Sequence, residues 1–405
     1  MLSLCASVLL ATFAQSEVAD EPNADDAPRI DLITMGSGGA VYSMFGHGAV
    51  RVVTADGQDL AYNFGYVEMA QPHFWWRVLQ GHLEARLEVT PYSELLMQYA
   101  GEDRTITGRT LAFSPAEAGE VARRLDAIAK SPSRGAYRYH HLLDNCTTRP
   151  VRLFDEVLGG ALTKAGQYPV AGTYRERVLA HMRDRPWLYL AMDLAGSGMS
   201  DTPLSAWDAT FMPEGVENLL DHARIHDEPF VRHTYVDYTS LNFDGKERWD
   251  WPWTKVYLFF LVPMFILTLA LPSTRAALGL RGLAFGLVGV AHIAFWLGSD
   301  YEFYHQNWNL LLFPPVELAL AYWSLRASTW RRRADLVGRY LQVHLAVAAT
   351  LTVLVALGII QQAIEPMLAL ALPMTGAAVF RTGIRALLSH PSVREDLAPA
   401  PDAGG

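Results

Sequence analysis

Two side chains in this sequence have the types needed for covalent acyl chemistry: His47, within Gly46-His47-Gly48, and Cys146, within Asp144-Asn145-Cys146. A thiolate is the reactive form of cysteine, and an imidazole beside it can take the proton, so such a pair can carry an acyl group as a thioester. The chain has two cysteines, and the other, Cys5, sits in an N-terminal apolar stretch, so no disulfide framework is available. A buried inert thiol is the plain reading of Cys146 alone; the pairing with His47 favours a nucleophile. Asn63, sixteen positions after His47, is the candidate to orient the imidazole through its amide oxygen. Asp144 or Asn145, with the backbone N–H of Cys146, is the candidate support for an oxyanion. Tyr139 joins them as a supporting residue, although Tyr137 and Tyr139 fit packing roles equally. His140 and His141 adjoin the motif without a spaced ligand set, so neither a metal nor another cofactor is expected.

The elements that must position these groups are partly legible. Arg29–Met35 alternates as a strand, Ser37-Gly38-Gly39 reads as a turn, and Ala49–Val53 and Leu60–Phe64 read as two further strands joined at Asp56-Gly57. His47 then falls just before the middle strand. From Pro115 to Ala129 the apolar residues Ala118, Val121, Ala122, Leu125 and Ile128 recur at helical spacing, behind an N-cap Ser114 with Glu117 three residues on. A second helix is expected from about Asp144, with Pro150 in its first turn and Cys146 near its positive end, where a thiolate is stabilised relative to the ordinary pKa of about 8.5.

Composition divides the 405 residues in two. Residues before about Asp250 have a globular mixture, whereas apolar runs fill Val256–Leu271, Ala277–Leu297, Leu310–Leu325, Leu341–Ile360 and Ile364–Phe380, the last interrupted by Pro373. Each approaches the ~20 residues that cross hydrocarbon. Arginines mark one side: Arg275 and Arg281, then Arg326, Arg331, Arg332, Arg333 and Arg339, then Arg381 and Arg385. The intervening loops, Ser299–Trp308 and Gln361–Pro366, lack Lys and Arg, so the positive-inside rule turns them outward and leaves the C-terminus cytoplasmic. Trp249, Trp251 and Trp253 suit an interfacial belt ahead of the first span. In the outward loop, His305 with Asn307 and Asn309 is a candidate phospholipid headgroup site, with interfacial anchoring as the alternative. Glu317 and His292 within spans are costly in hydrocarbon and are expected to face the bundle interior. The formal charge of −9, without a basic stripe, argues against nucleic acid as a partner.

The resulting division is a signal-like segment at 1–19, a disordered tether at 20–28, a Cys-His domain at 29–165, a helical extension at 166–250, a bundle of about five spans at 251–388 and a disordered tail at 389–405. The runs Tyr42–Val52, Tyr62-Asn63-Phe64-Gly65 and Tyr137–Cys146 resemble the N-terminal periplasmic domain of the Lnb family. Looser likeness continues through Thr173-Tyr174-Arg175, Pro186-Trp187, Trp207, Phe211-Met212-Pro213 and His305–Asn309. The resemblance implies an α+β, circularly permuted papain-like (NlpC-like) periplasmic domain, His before Cys, followed by an α-helical transmembrane bundle in the bacterial inner membrane. It also implies a lipoprotein N-acyltransferase: phospholipid as acyl donor, a diacylglyceryl-cysteine lipoprotein as acceptor, and the bilayer as setting. The same Cys-His pair would serve an envelope cysteine hydrolase, whether peptidoglycan peptidase or lipase-like, and a non-catalytic envelope scaffold is the reading of a third class.

Overall fold

A computed structural model describes residues 26–242, 253–271 and 273–389. The signal-like segment, most of the expected tether, Trp249, Trp251 and the C-terminal tail lie outside the described residues.

The first half is built on one antiparallel sheet. Its strands begin with β1 (Arg29–Met35), β2 (His47–Val53) and β3 (Asp59–Tyr66), followed by the short helix α1 (Phe74–Gln80). Then come β4 (Glu84–Pro91), α2 (Tyr92–Gly101), β5 (Ile106–Leu111), α3 (Pro115–Lys130) and β6 (Tyr137–Arg138). The Cys motif leads into α4 (Thr148–Val157) and α5 (Ala161–Ala165), then β7 (Pro169–Thr173), α6 (Tyr174–Ala180) and α7 (Pro186–Ala195). Strand β8 (Pro203–Ser205), helix α8 (Pro213–His222), the pair β9 (Arg224–Ile225) and β10 (Glu228–Pro229), and β11 (Val231–Tyr238) complete it. The seven-stranded sheet runs β11-β5-β1-β2-β3-β4-β6.

Alternation along the strands gives the sheet two buried faces. Ile30, Leu32, Val50, Val52, Tyr62 and Phe64 pack with α3, α4 and α8, whereas Ile33, Met35, Ala49 and Ala61 pack against Tyr92, Leu95 and Tyr99 of α2. Ser114 and Glu117 form a capping box at the start of α3, a device worth about 1 kcal/mol. The expected close of the domain at 165 does not hold for the sheet, because β11 pairs along β5 from Val231 to Tyr238. An edge strand taken from so far along the chain carries no local signal, and residues 166–242 are a mixture of helix and strand instead of a helical extension.

The second half is helical: α9 (Trp253–Ala270), α10 (Thr274–Gly298), α11 (Asn309–Leu312), α12 (Leu318–Ser324), α13 (Ala327–Ala356) and α14 (Glu365–Ser389). Among the described residues, α10 and Ser328–Ala356 of α13 are both long and apolar enough to span a membrane by themselves, with mean hydropathies of 1.7 and 1.4. The third expected span is broken: α11 ends at Leu312, and Pro314-Pro315 separates it from α12. It packs on a stripe of small residues of α10. A Cβ added at Gly282 would stand 2.5 Å from the Glu317 carbonyl oxygen, and one at Gly289 would stand 2.0 Å from that of Phe313. Such close backbone approach is how helices associate in lipid, where apolar burial supplies little drive. Helix α14 continues through Pro373.

Two of the polar expectations for the spans need revision. Arg281 is not at a turn but inside α10, 1% exposed, and donates to both Glu317 oxygens at 2.5 Å, to His344 Nδ1 at 3.1 Å and to Thr375 Oγ1 at 3.0 Å. Glu317 also accepts from Tyr340 at 2.8 Å. Glu317 does face the interior, and its partner is the arginine that the charge rule had set at the cytoplasmic edge. His292 binds the Val288 carbonyl and, at 2.8 Å, the Leu194 carbonyl at the end of α7, so it joins the two halves of the chain.

Candidate active site

His47 opens β2 opposite Met35, two positions earlier than the strand expected from Ala49. With Val50 opposite Tyr62, alternation puts His47 and Asn63 on the face that carries Ala49 and Ala61. His47 Nε2 lies 2.6 Å from Asn63 Oδ1. An amide oxygen only accepts, so Nε2 carries the proton there and Nδ1 is left to exchange one with a thiol. The ring also stacks on Tyr99, centroids 5.8 Å apart, and the Arg104 guanidinium lies 4.7 Å from the centre of that Tyr99 ring.

Cys146 meets His47 from the turn ahead of α4. The helix starts at Thr148, four residues later than expected, so the thiol precedes the first turn instead of lying in it. Burial pushes the Cys146 thiol up, but the His47 charge, the His47 hydrogen bond and the backbone N–H of Gly48 together bring it below the ordinary value. Burial opposes the charged form of His47 too, yet the Cys146 thiolate and the bond to Asn63 leave its pKa raised. The opposite shifts mean that each group favours the charged form of the other. Tyr139 hydrogen-bonds the same sulfur, and burial first, then the Cys146 charge, holds its hydroxyl well above the usual range, so it stays a donor.

Local chemistry fixes the turn. Asn145 Oδ1 accepts from the backbone N–H groups of Thr147 and Thr148, at 2.9 and 3.0 Å, and its Nδ2 donates to the carbonyls of His141 and Phe211 at 2.7 and 2.9 Å. Its amide is therefore engaged on all sides, and the expected oxyanion contact from this side chain is replaced by a capping and tethering role. Asp144 is a carboxylate held by Arg149 at 2.8 and 2.9 Å, so it cannot stabilise an oxyanion either. Gly65, at φ +90°, lets β3 pass the thiol: a Cβ there would stand 3.2 Å from the Cys146 Cβ and 3.5 Å from the Tyr139 ring. His141 packs beneath on Tyr139 and Tyr301, and burial, then the neighbouring His140, holds it at about 4.

Residues 16–178 match the Lnb N-terminal periplasmic domain and residues 246–385 match the Lnb transmembrane domain. The chain belongs to the Lnb family. Among curated proteins and solved structures, none matches it. Membership makes this an inner-membrane protein with a periplasmic N-terminal domain and links it to lipoprotein maturation.

In this Lnb-family chain the loop after α10 is a clamp on the periplasmic domain. Asn307 is 6% exposed and donates through Nδ2 to the carbonyls of Leu194, Ala195 and Gly196, at 2.9, 3.0 and 3.1 Å, while its Oδ1 accepts from Asn309 N and Gln362 Nε2. Asn309, fully buried, donates to the Leu194 carbonyl at 3.1 Å, and His305 binds the Ser299 carbonyl at 2.8 Å. The expected headgroup site at His305, Asn307 and Asn309 is thus corrected. These side chains cap the C-terminus of α7 and brace their own loop. Nearby, Asp300 accepts from Arg138 at 2.6 Å and pairs with His82 at 3.0 Å. Met44, three residues before His47, is buried with Leu179, Met182 and Tyr189 against Phe285 and Leu312 of the bundle. Sequence reasoning missed Tyr99, Gly65 and the capping role of Asn145. The Asn145-Cys146-Thr147-Thr148 run is itself an N-cap signature and could have revealed the last.

Proposed function

We propose that the chain is a membrane-bound thiol acyltransferase that moves a fatty acyl chain from a phospholipid, through a Cys146 thioester, to the N-terminal amine of a diacylglyceryl-cysteine lipoprotein. The observation that carries this is the Cys146–His47–Asn63 arrangement with its opposed pKa shifts, in a domain hydrogen-bonded to the outer ends of the spanning helices.

His47 holds the thiol proton. The Cys146 sulfur attacks the ester carbonyl, and the Cys146 N–H and the Tyr139 hydroxyl support the oxyanion. As the tetrahedral intermediate collapses, the C–O bond breaks and the imidazolium protonates the departing glycerol oxygen. The acceptor amine then attacks the thioester, a C–N bond forms as C–S breaks, and the amine proton passes to His47. The order His then Cys on this sheet supports a permuted papain-like reading. Five crossings, counting the broken third, put the C-terminus in the cytoplasm, with the arginines of α13 and α14. Both reactants live in the outer leaflet, so anchoring raises their effective concentration at the thiol.

The test expresses the chain in a bacterial strain lacking its own lipoprotein N-acyltransferase and reads lipoprotein N-termini by mass spectrometry. An added N-acyl group that vanishes with Cys146→Ala is the expected result. Correctly inserted protein that yields free fatty acid and no N-acylation identifies a hydrolase and overturns the assignment.

A further inference from the structure

Helix α1 has no buried residue. Phe74, Arg77, Val78 and Gln80 are half-buried, and so shallow a seat is too little by itself to hold a seven-residue helix in water. Its sequence is Phe74-Trp75-Trp76-Arg77-Val78-Leu79-Gln80; Trp75 is 76% exposed, Trp76 59% and Leu79 45%, and Met69 just ahead is 57% exposed. Arg77 turns back, donating to the His82 carbonyl at 3.2 Å. The outward surface is therefore apolar and dominated by tryptophan, the residue that collects at membrane interfaces.

The position of α1 identifies what covers it. The Gln80 carbonyl accepts from Asp300 N at 2.9 Å, and a Cβ on Gly81 would meet the Tyr301 ring at 3.3 Å, so α1 is fastened to the outer end of span α10. That span carries an exposed stripe at Leu280, Leu283, Leu287, Val290, Ile293 and Leu297, whose helical spacing marks its lipid-facing side. The stripe stops three residues before Asp300. The exposed tryptophans stand where it leaves off.

We propose that α1 is an interfacial helix whose Trp75, Trp76 and Leu79 seat in the phospholipid of the outer leaflet and hold the neighbouring segment, which pairs with Tyr139, against the bilayer. Three residues past α1, the Leu83 carbonyl accepts from Tyr139 N at 2.7 Å, and Tyr139 bonds the Cys146 sulfur. Lipid at α1 is thus one short segment away from the thiol. The membrane seat rests on the spanning helices alone; its service to a lipid donor rests on the acyl-transfer reading.

The test places an environment-sensitive NBD fluorophore on Trp76→Cys in the full chain carrying Cys5→Ser and Cys146→Ser, reconstituted in phosphatidylcholine–phosphatidylglycerol nanodiscs. Asp227→Cys, in the β9–β10 turn whose His226 pairs with Glu117 in the first turn of α3, is the reference. Blue-shifted emission at 76, quenched by headgroup-proximal doxyl lipid, with neither effect at 227, is expected. Emission at 76 matching that at 227 overturns the proposal whether or not the protein transfers acyl groups. With Cys146 intact, Trp75→Ser with Trp76→Ser should raise the vesicle lipid needed for half-maximal Cys146 acylation by at least about tenfold. Alkylation of Cys146 by soluble iodoacetamide should stay unchanged in that variant, which shows the fold intact. An unchanged lipid requirement in a protein that does become acylated overturns the service of α1 to a lipid donor.

Discussion

At the level of single residues, the thiol and the imidazole stabilise each other's charged forms, and this sets a pH signature. The Cys146 pKa is lowered and that of His47 is raised, so the ion pair persists below the ordinary thiol range and is lost on acidification only when the thiolate takes a proton. Alkylation of Cys146 by iodoacetamide should therefore be fast and level through neutral pH. In His47→Ala the opposing effect of burial acts without the imidazolium, so the reactive form should emerge only above the ordinary thiol range, and turnover should fall about 10²–10⁴-fold. A wild-type profile that rises only with alkaline pH would sink the ion-pair description. His47, Asn63 and Cys146 could be picked out of the sequence because each has a distinctive type and a fixed order. Tyr99 could not, since an aromatic stacked on an imidazole looks like any core tyrosine until the sheet brings α2 under β2.

Elements show the same contrast between local and distant information. Strand β1 and helix α3 were legible because alternation and a capping box are written within a few residues. The start of α4 was misplaced because Asp144 and Asn145 both suit a cap, and only the bonds of Asn145 to Thr147 and Thr148 decide between them. Strand β11 was missed because nothing near residue 231 announces pairing with residue 111. The capping turn gives a clear expectation. Asn145→Ala strands buried N–H groups of α4 and the carbonyls of His141 and Phe211, so it should cost about 1–3 kcal/mol. It should lower the melting temperature and slow Cys146 alkylation together. Normal alkylation in a destabilised protein would mean that the turn does not aim the thiol.

For the whole molecule, the bundle is organised around a charge buried among α10, α12, α13 and α14. Replacing Arg281 alone by Met takes the guanidinium from Glu317 at a site with no exposure and leaves it only Tyr340 and His344, a loss of about 3–5 kcal/mol. Arg281→Met combined with Glu317→Leu should recover most of it, read as thermal stability in detergent. A double variant no better than the single would show that the ionic pair itself, and not the orphaned charge, is what the fold requires.

The carbonyl of Leu194 receives His292, Asn307 and Asn309, and Gly196 receives Arg175, Asn307 and Gln362. Five side chains converge on one helix end, and four of them, His292, Asn307, Asn309 and Gln362, come from the helical half and join it to the first. The protein should therefore behave as a two-piece assembly. Residues 1–242 and 243–405, produced as separate polypeptides in one cell, should find each other and co-purify, and Asn307→Ala should make that complementation fail.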